Sequence, residues 1–178
     1  MTDTDAQHTV ALGDDRVEHL AGGASLPVPD GWEVLRNPED GVAMVAVEPP
    51  RTADGVDLFR ANLVLTDVPT GGLGFRDWQK GTDELLPRVL HDYLLLDLER
   101  RRVGGHEGGR RLAHHVSADG VSLTMEQWFA CVAGVGFTLT ATVDTWRYDE
   151  VADFLSAVAD GLTLPAEDGL TVAPGGDR

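Results

Sequence analysis

From Tyr93 to Asp144 the sequence breaks into four strand-like stretches separated by glycine-bearing turns, at about 93–103, 108–118, 121–132 and 135–144. A chain that repeats this pattern so persistently is committed to a β-meander. The last stretch alternates cleanly, with Val135, Phe137, Leu139, Ala141 and Val143 on one face and Gly136, Thr138, Thr140 and Thr142 on the other, so one face belongs to a core. Gly-Gly-His-Glu, Asp119-Gly120 and Ala133-Gly134 join the strands. An Asp-Gly pair tolerates the positive φ angles of a two-residue type I′ turn. Centred there, it sets Val116 opposite Leu123 and His114 opposite Met125. The same folding of the first hairpin brings Arg101 near Arg110 and Arg100 near Arg111.

The flanks add two helices and three more strands. Pro27 and Pro29 confine the opening segment to an edge, and Asp30-Gly31 turns the chain before Trp32 and a short strand. Residues 42–48 are apolar at both parities, as in a strand covered on both faces. Pro49-Pro50 ends it, 51–57 is a polar loop, and 59–68 is the third strand. Phe75, Trp78, Leu85, Leu86, Val89 and Leu90 recur at helical spacing, which predicts a helix over 75–91. Tyr148, Val151, Phe154, Leu155, Val158 and Leu162 predict a second, with Asp149 and Glu150 at the positive end of its dipole and Gly161 at its C-terminus. The expected fold is α+β, a central antiparallel sheet with two amphipathic helices in the order β-β-β-α-β-β-β-β-α. Residues 1–22 and 165–178 lack sustained periodicity and read as flexible acidic tails around one domain, 23–164.

Charge narrows the partners. Of the formal net charge of −16, the two tails carry −4 and −2, so the body itself holds −10. Such a field repels a phosphate backbone or an anionic membrane, so neither nucleic acid nor membrane is expected as a partner. Cys131 is the single cysteine; it cannot form an intrachain disulfide and reads as a small buried hydrophobe. The opening residues have acids where a signal peptide needs a basic start, and no run reaches membrane-spanning length, so a cytoplasmic location is expected.

The strand and helix order, together with LPVPDGWEV, FRANLVLTDV, EQWFACVAGVGFTLTATVD and DEVADFLSAVADGLTL, resembles the PsbP-like α/β/α sandwich superfamily over about residues 24–164. Within it the chain looks most like the LpqN/LpqT-like proteins of actinobacteria, which are related in fold to DcrB and to the EagR-type effector chaperones. The resemblance implies a binding or scaffolding module with no active site. LpqN-like proteins are typically exported lipoproteins, and this sequence shows neither their apolar leader nor an N-terminal cysteine for lipidation.

No catalytic constellation stands out. His106, His114 and His115 with Glu107 and Asp119 have metal-ligating or acid–base atoms, but adjacent strand residues point to opposite faces. Ser117 and Ser122 lack a nucleophile elbow. The Gly-rich run 104–109 joins two strands instead of opening a phosphate-binding helix. No cofactor is therefore expected, and the chain reads as a non-enzymatic protein-binding module, an adaptor or chaperone for another, possibly secreted, polypeptide. A metal-dependent or small-ligand enzyme using the histidine-bearing meander is the alternative. Two surfaces are candidates for the partner. Arg100, Arg101, Arg102, Arg110 and Arg111 form a basic hairpin in an acidic domain; either Asp97, Glu99, Glu107 and Glu126 pair with them, or they form an anion-binding or acidic-partner site. Trp32 and Trp146 lie beside turns or helix ends, where an exposed indole can anchor a partner, whereas Trp78 and Trp128 belong to the core.

Overall fold

The structure, a computed structural model, describes residues 17–20 and 22–167; the tail expectations for 1–16 and 168–178 lie outside the described residues. In chain order the strands are β1 (Val17–His19), β2 (Ser25–Pro27), β3 (Glu33–Glu39), β4 (Val42–Val47), β5 (Thr52–Ala53), β6 (Val56–Asp57) and β7 (Asn62–Pro69). Helix α1 (Phe75–Val89) separates these from β8 (His91–Val103), β9 (His106–Val116), β10 (Ser122–Val132) and β11 (Val135–Asp144). A 3-10 turn, Thr145–Arg147, leads into α2 (Tyr148–Asp160). Seven strands form one antiparallel sheet in the order β3-β4-β7-β11-β10-β9-β8. The expected α+β architecture is thus present, with the meander folding outward from β11 at the centre to β8 at the edge.

Strand alternation sorts the side chains onto two faces. Trp128, Ala130 and Val132 of β10 join Phe137, Leu139, Ala141 and Val143 of β11 and Leu63 and Leu65 of β7 in the main core, beneath Leu155 and Val158 of α2. On the other face, Phe129 meets Phe75 and Trp78 of α1 at ring distances of 6.1 and 6.3 Å. Trp78 also lies against Gly136, where an added Cβ would come within 2.4 Å of its ring. The sheet is therefore sandwiched between the helices. The opposite face of β4 is less covered than the sequence suggests: Val45 and Val47 are half-buried, because α1 passes over β9, β10 and β11 and not over β4.

Two hairpins differ from the expected register. Around Asp119-Gly120 the pairs are Ser122 with Val116, Leu123 with His115 and Thr124 with His114, one residue away from the expected pairing. The Gly120 amide donates to the Ser117 carbonyl at 3.0 Å and Gly120 alone has positive φ, 81°, so the loop has three residues, a type I turn closed by a left-handed glycine. Asp54-Gly55, inside the expected polar loop, makes the two-residue turn instead: both φ angles are positive, 52° and 78°, and Ala53 pairs with Val56. The β8–β9 hairpin turns on Gly104-Gly105, setting Arg100 opposite Gly109, Arg101 opposite Gly108 and Glu99 opposite Arg110. The arginines consequently do not face one another, and their like-charge repulsion is avoided.

The ordered body also starts before residue 23. Val17–His19 pairs with Ser25–Pro27, Leu20 is buried in the core, and Glu18 is buried and ion-paired to Arg36. The apolar positions of this segment, Val17 and Leu20, are too few to register as a period, so its role is decided by tertiary contact.

Candidate interaction surface

The five hairpin arginines have three different environments. Arg111 is only 1% exposed. Its guanidinium donates to Gln127 Oε1 at 2.6 Å and to the Asp83 carboxylate on α1, and it lies 5.0 Å from the centre of the Phe129 ring. Arg110, one residue earlier and so on the opposite face, bonds the buried Glu126 carboxylate and reaches Asp97 at 3.2 Å and Glu99 at 3.6 Å. Glu126 also accepts a hydrogen bond from the Tyr148 hydroxyl at 3.0 Å. Burial and the Glu126 charge push the Tyr148 pKa up to about 12. Burial alone would lower the Arg110 pKa, but the bonded carboxylate raises it on balance. Arg101 holds Asp160 at the end of α2 at 2.7 Å, and Arg102 donates to the Gly105 carbonyl.

That leaves Arg100. It is exposed and makes no ion pair among the described residues. With Phe75, Arg76, Asp77 and Glu107 it lines a groove of about 340 Å³ beside the start of α1. Arg110 and Arg111 are thus structural groups facing α2 and α1, and the accessible part of the basic hairpin is its tip.

The tryptophans divide as sharply. Trp32 is 9% exposed and packs on Phe154 of α2 at 6.5 Å, so it does not offer the exposed indole expected of a partner anchor. Trp146 is 89% exposed, on the 3-10 turn whose backbone is capped by Asp144. It follows β11 at the sheet end opposite the Gly104-Gly105 turn, so the structure does not bring it together with Arg100.

A third surface carries no local signal in the sequence. Leu94, Leu95, Leu96 and Leu98 of β8 are 57, 43, 45 and 38% exposed, and Leu85 and Val89 at the end of α1 are also exposed. Alternation within β8 could not reveal this, because exposure follows from β8 being the last strand of the sheet. Among the described residues, the same placement leaves one side of its thirteen-residue backbone without a strand partner. An exposed, leucine-rich sheet edge is a surface that folded proteins normally shorten, charge or cover.

The histidines remain apart. His114 and His115 occupy successive positions of β9, and His106 sits at the far end of that strand, where Nε2 lies 3.1 Å from the Pro165 carbonyl oxygen. Burial lowers the His115 pKa. Among the described residues no group of three or more His, Cys, Asp or Glu side chains could hold a metal ion. The Gly-rich run has a packing explanation: an added Cβ at Gly108 would approach the Phe129 carbonyl oxygen at 2.2 Å, and one at Gly109 the Phe129 ring at 2.6 Å. Burial pushes the Cys131 thiol up to about 11, away from the range of a reactive thiolate.

No family model matches the sequence, and no curated protein matches it. Solved structures do. The Ran-binding protein Mog1p of Saccharomyces cerevisiae aligns with a TM-score of 0.58 at 12% identity, covering 88% of this chain and 98% of that one. Cyanobacterial PsbP from Synechocystis sp. PCC 6803 aligns at 0.54 and 14% identity over 87% and 98%. LpqN of Mycobacterium tuberculosis, involved in cell envelope biogenesis, aligns at 0.55 and 16% identity over 80% and 83%. Sequence identities this low carry the backbone and nothing finer. The chain has the PsbP-like α/β/α sandwich fold.

Proposed function

We propose that this chain is a non-enzymatic protein-binding module, an adaptor or chaperone for another polypeptide, and that the partner docks on the β8 edge and the adjoining end of α1. The exposed leucine row of β8 carries this reading. Burying a leucine from water stabilises a complex by about 1.5–3 kcal/mol at most, so four leucines at roughly half exposure can anchor a partner without help from a deep pocket. The fold is compatible with such a role, since a structurally similar protein, Mog1p, is Ran-binding.

The test is site-specific photocrosslinking. A photoreactive side chain at Leu96 is expected to capture one protein from an extract of the source cells, identified by mass spectrometry. The same group at Leu35, exposed on β3 at the opposite edge, should not capture it. Leu94→Ser with Leu96→Ser should abolish capture while leaving the melting temperature within a few degrees. Equal capture from both edges, or capture that survives the double substitution, would sink the β8 surface as the docking site.

A further inference from the structure

We propose that the β8 edge takes an extended peptide segment as an eighth strand paired along Leu98–Val103, and that this segment is acidic where it meets Arg100 and apolar where it runs past Leu98 toward the exposed Leu95 side chain. The proposal rests on the protein-binding reading above and adds the form and charge of what binds. Backbone geometry supplies the first half. Among the described residues β8 has a strand neighbour, β9, on one side only, and from Leu98 to Val103 the β8–β9 register is unbroken, so the outer backbone groups of this stretch are spaced to pair with another strand. Bulges at 91–94 and 95–97 confine the regular template to that end of β8.

Charge complementarity supplies the second half. Leu95, Leu98 and Arg100 pair with Ala113, Arg111 and Gly109 and so share the face on which α1 lies. Asp97 and Glu99 pair with Leu112 and Arg110, on the opposite face, where Arg110 already binds both carboxylates at 3.2 and 3.6 Å. The acids of the edge are thus drawn toward Arg110 on the far face, whereas Arg100 makes no ion pair among the described residues, and Arg76 lines the same groove. Glu107 and Asp77 lie there too, so the attraction is local and short-ranged. An added strand therefore meets leucine, leucine, then an available guanidinium.

A second copy of this chain fits less well. Two-fold pairing of Leu98–Val103 with itself sets Arg100 opposite Arg101 on both sides of the axis, and like charges directly opposite each other are unfavourable. It also joins two chains that each carry −16.

The probe is an eight-residue blocked peptide, Glu-Asp-Glu-Val-Thr-Val-Thr-Val, whose acidic end faces Arg100 in the antiparallel arrangement. Binding is read by fluorescence anisotropy. The peptide should bind in the micromolar to millimolar range, and Arg100→Glu should weaken it about five- to tenfold with unchanged thermal stability. A peptide with the three acids replaced by lysine should bind Arg100→Glu better than wild type. N-methylation at alternate backbone positions should abolish binding, because it removes the strand-pairing amides and keeps every side chain. Undiminished binding of the N-methylated peptide would overturn strand addition, and equal binding of the lysine peptide to wild type would overturn the acidic flank. No binding at 1 mM would overturn both, as would sedimentation showing a dimer that Leu96→Glu dissociates. The crosslinking does not use these peptides, so a partner captured at Leu96 that outlives their failure would keep the binding module and reject only the added strand.

Discussion

Arg110 and Arg111 are adjacent in sequence and separated by the thickness of the sheet in space, which is why one charge pattern hides two structural roles. Arg111 reaches Asp83 and Gln127 with its guanidinium out of water, so α1 is tied to the sheet at a point where a lone charge would be costly. Removing one partner of a buried pair leaves the other uncompensated. Asp83→Ala is therefore expected to lower stability by about 3 kcal/mol, read by urea unfolding, whereas Asp97→Ala, on an exposed carboxylate, should cost under about 1 kcal/mol. Equal costs would refute the anchoring role of Arg111. Glu48 offers a pH test. Burial alone would raise its pKa, but the Arg147 guanidinium, bonded to both carboxylate oxygens at 2.8 and 2.9 Å, and the Ala61 amide at 3.0 Å bring it below the ordinary 4.5. A carboxylate depressed in the folded state stabilises above its unfolded pKa, and that contribution disappears as pH falls through the folded value. Glu48→Gln should thus melt below wild type at pH 7, with the gap closing below about pH 4.5. A gap of constant size down to pH 3 would show that Glu48 is not depressed.

Among the elements, turns tell most about what a sequence can specify. Ala133-Gly134 closes the β10–β11 hairpin with both φ angles positive, 47° and 81°, and alanine at such a position has its Cβ crowded against the following carbonyl. Ala133→Gly or Ala133→Asn is expected to raise stability by a few tenths to about 1 kcal/mol; a fall in melting temperature for both would show that the methyl has a packing role. Gly136→Ala acts in the opposite sense, because the new methyl would meet the Trp78 ring at 2.4 Å while Phe75 and Phe129 flank that ring. Overpacking of this kind costs about 1–3 kcal/mol, and circular dichroism melts should resolve it. These positions also mark how far the sequence was legible. Period-two alternation and glycine spacing located β8 to β11 to within a few residues, and helical spacing located α1 and α2. Register was not legible, since Asp119-Gly120 suits a two-residue or a three-residue loop equally and the Ser117–Gly120 hydrogen bond chose the longer. Nor was the exposure of Leu94–Leu98, because nothing local distinguishes an edge strand from a central one.

For the whole molecule, the boundary of the folded body decides which residues must be present for the edge and core to form. The sequence placed that boundary at residue 23, where apolar periodicity begins, but β1 and Leu20 lie before it and close the side of the core that α2 and β2 share. Ser25 pairs with Thr163 in both directions, 2.9 and 2.8 Å, and the ring of His106 contacts the Pro165 carbonyl oxygen, so the two ends of the body meet at this place. A protein trimmed to residues 23–164 loses β1, the Leu20 side chain and the Glu18–Arg36 pair together. Re-exposing the pocket of a buried leucine costs about 1.5–3 kcal/mol, and the strand pairs add to it. Relative to a protein of residues 17–167, the 23–164 form is therefore expected to melt roughly 5–10 °C lower, given about 2–4 °C per kcal/mol for a chain of this size. Restoring only 17–22 should recover most of the difference, because the N-terminal segment contributes the buried leucine and the ion pair while 165–167 contribute one contact to His106. If 23–164 melts with 17–167, β1 contributes no net stability and the body begins where the apolar period does.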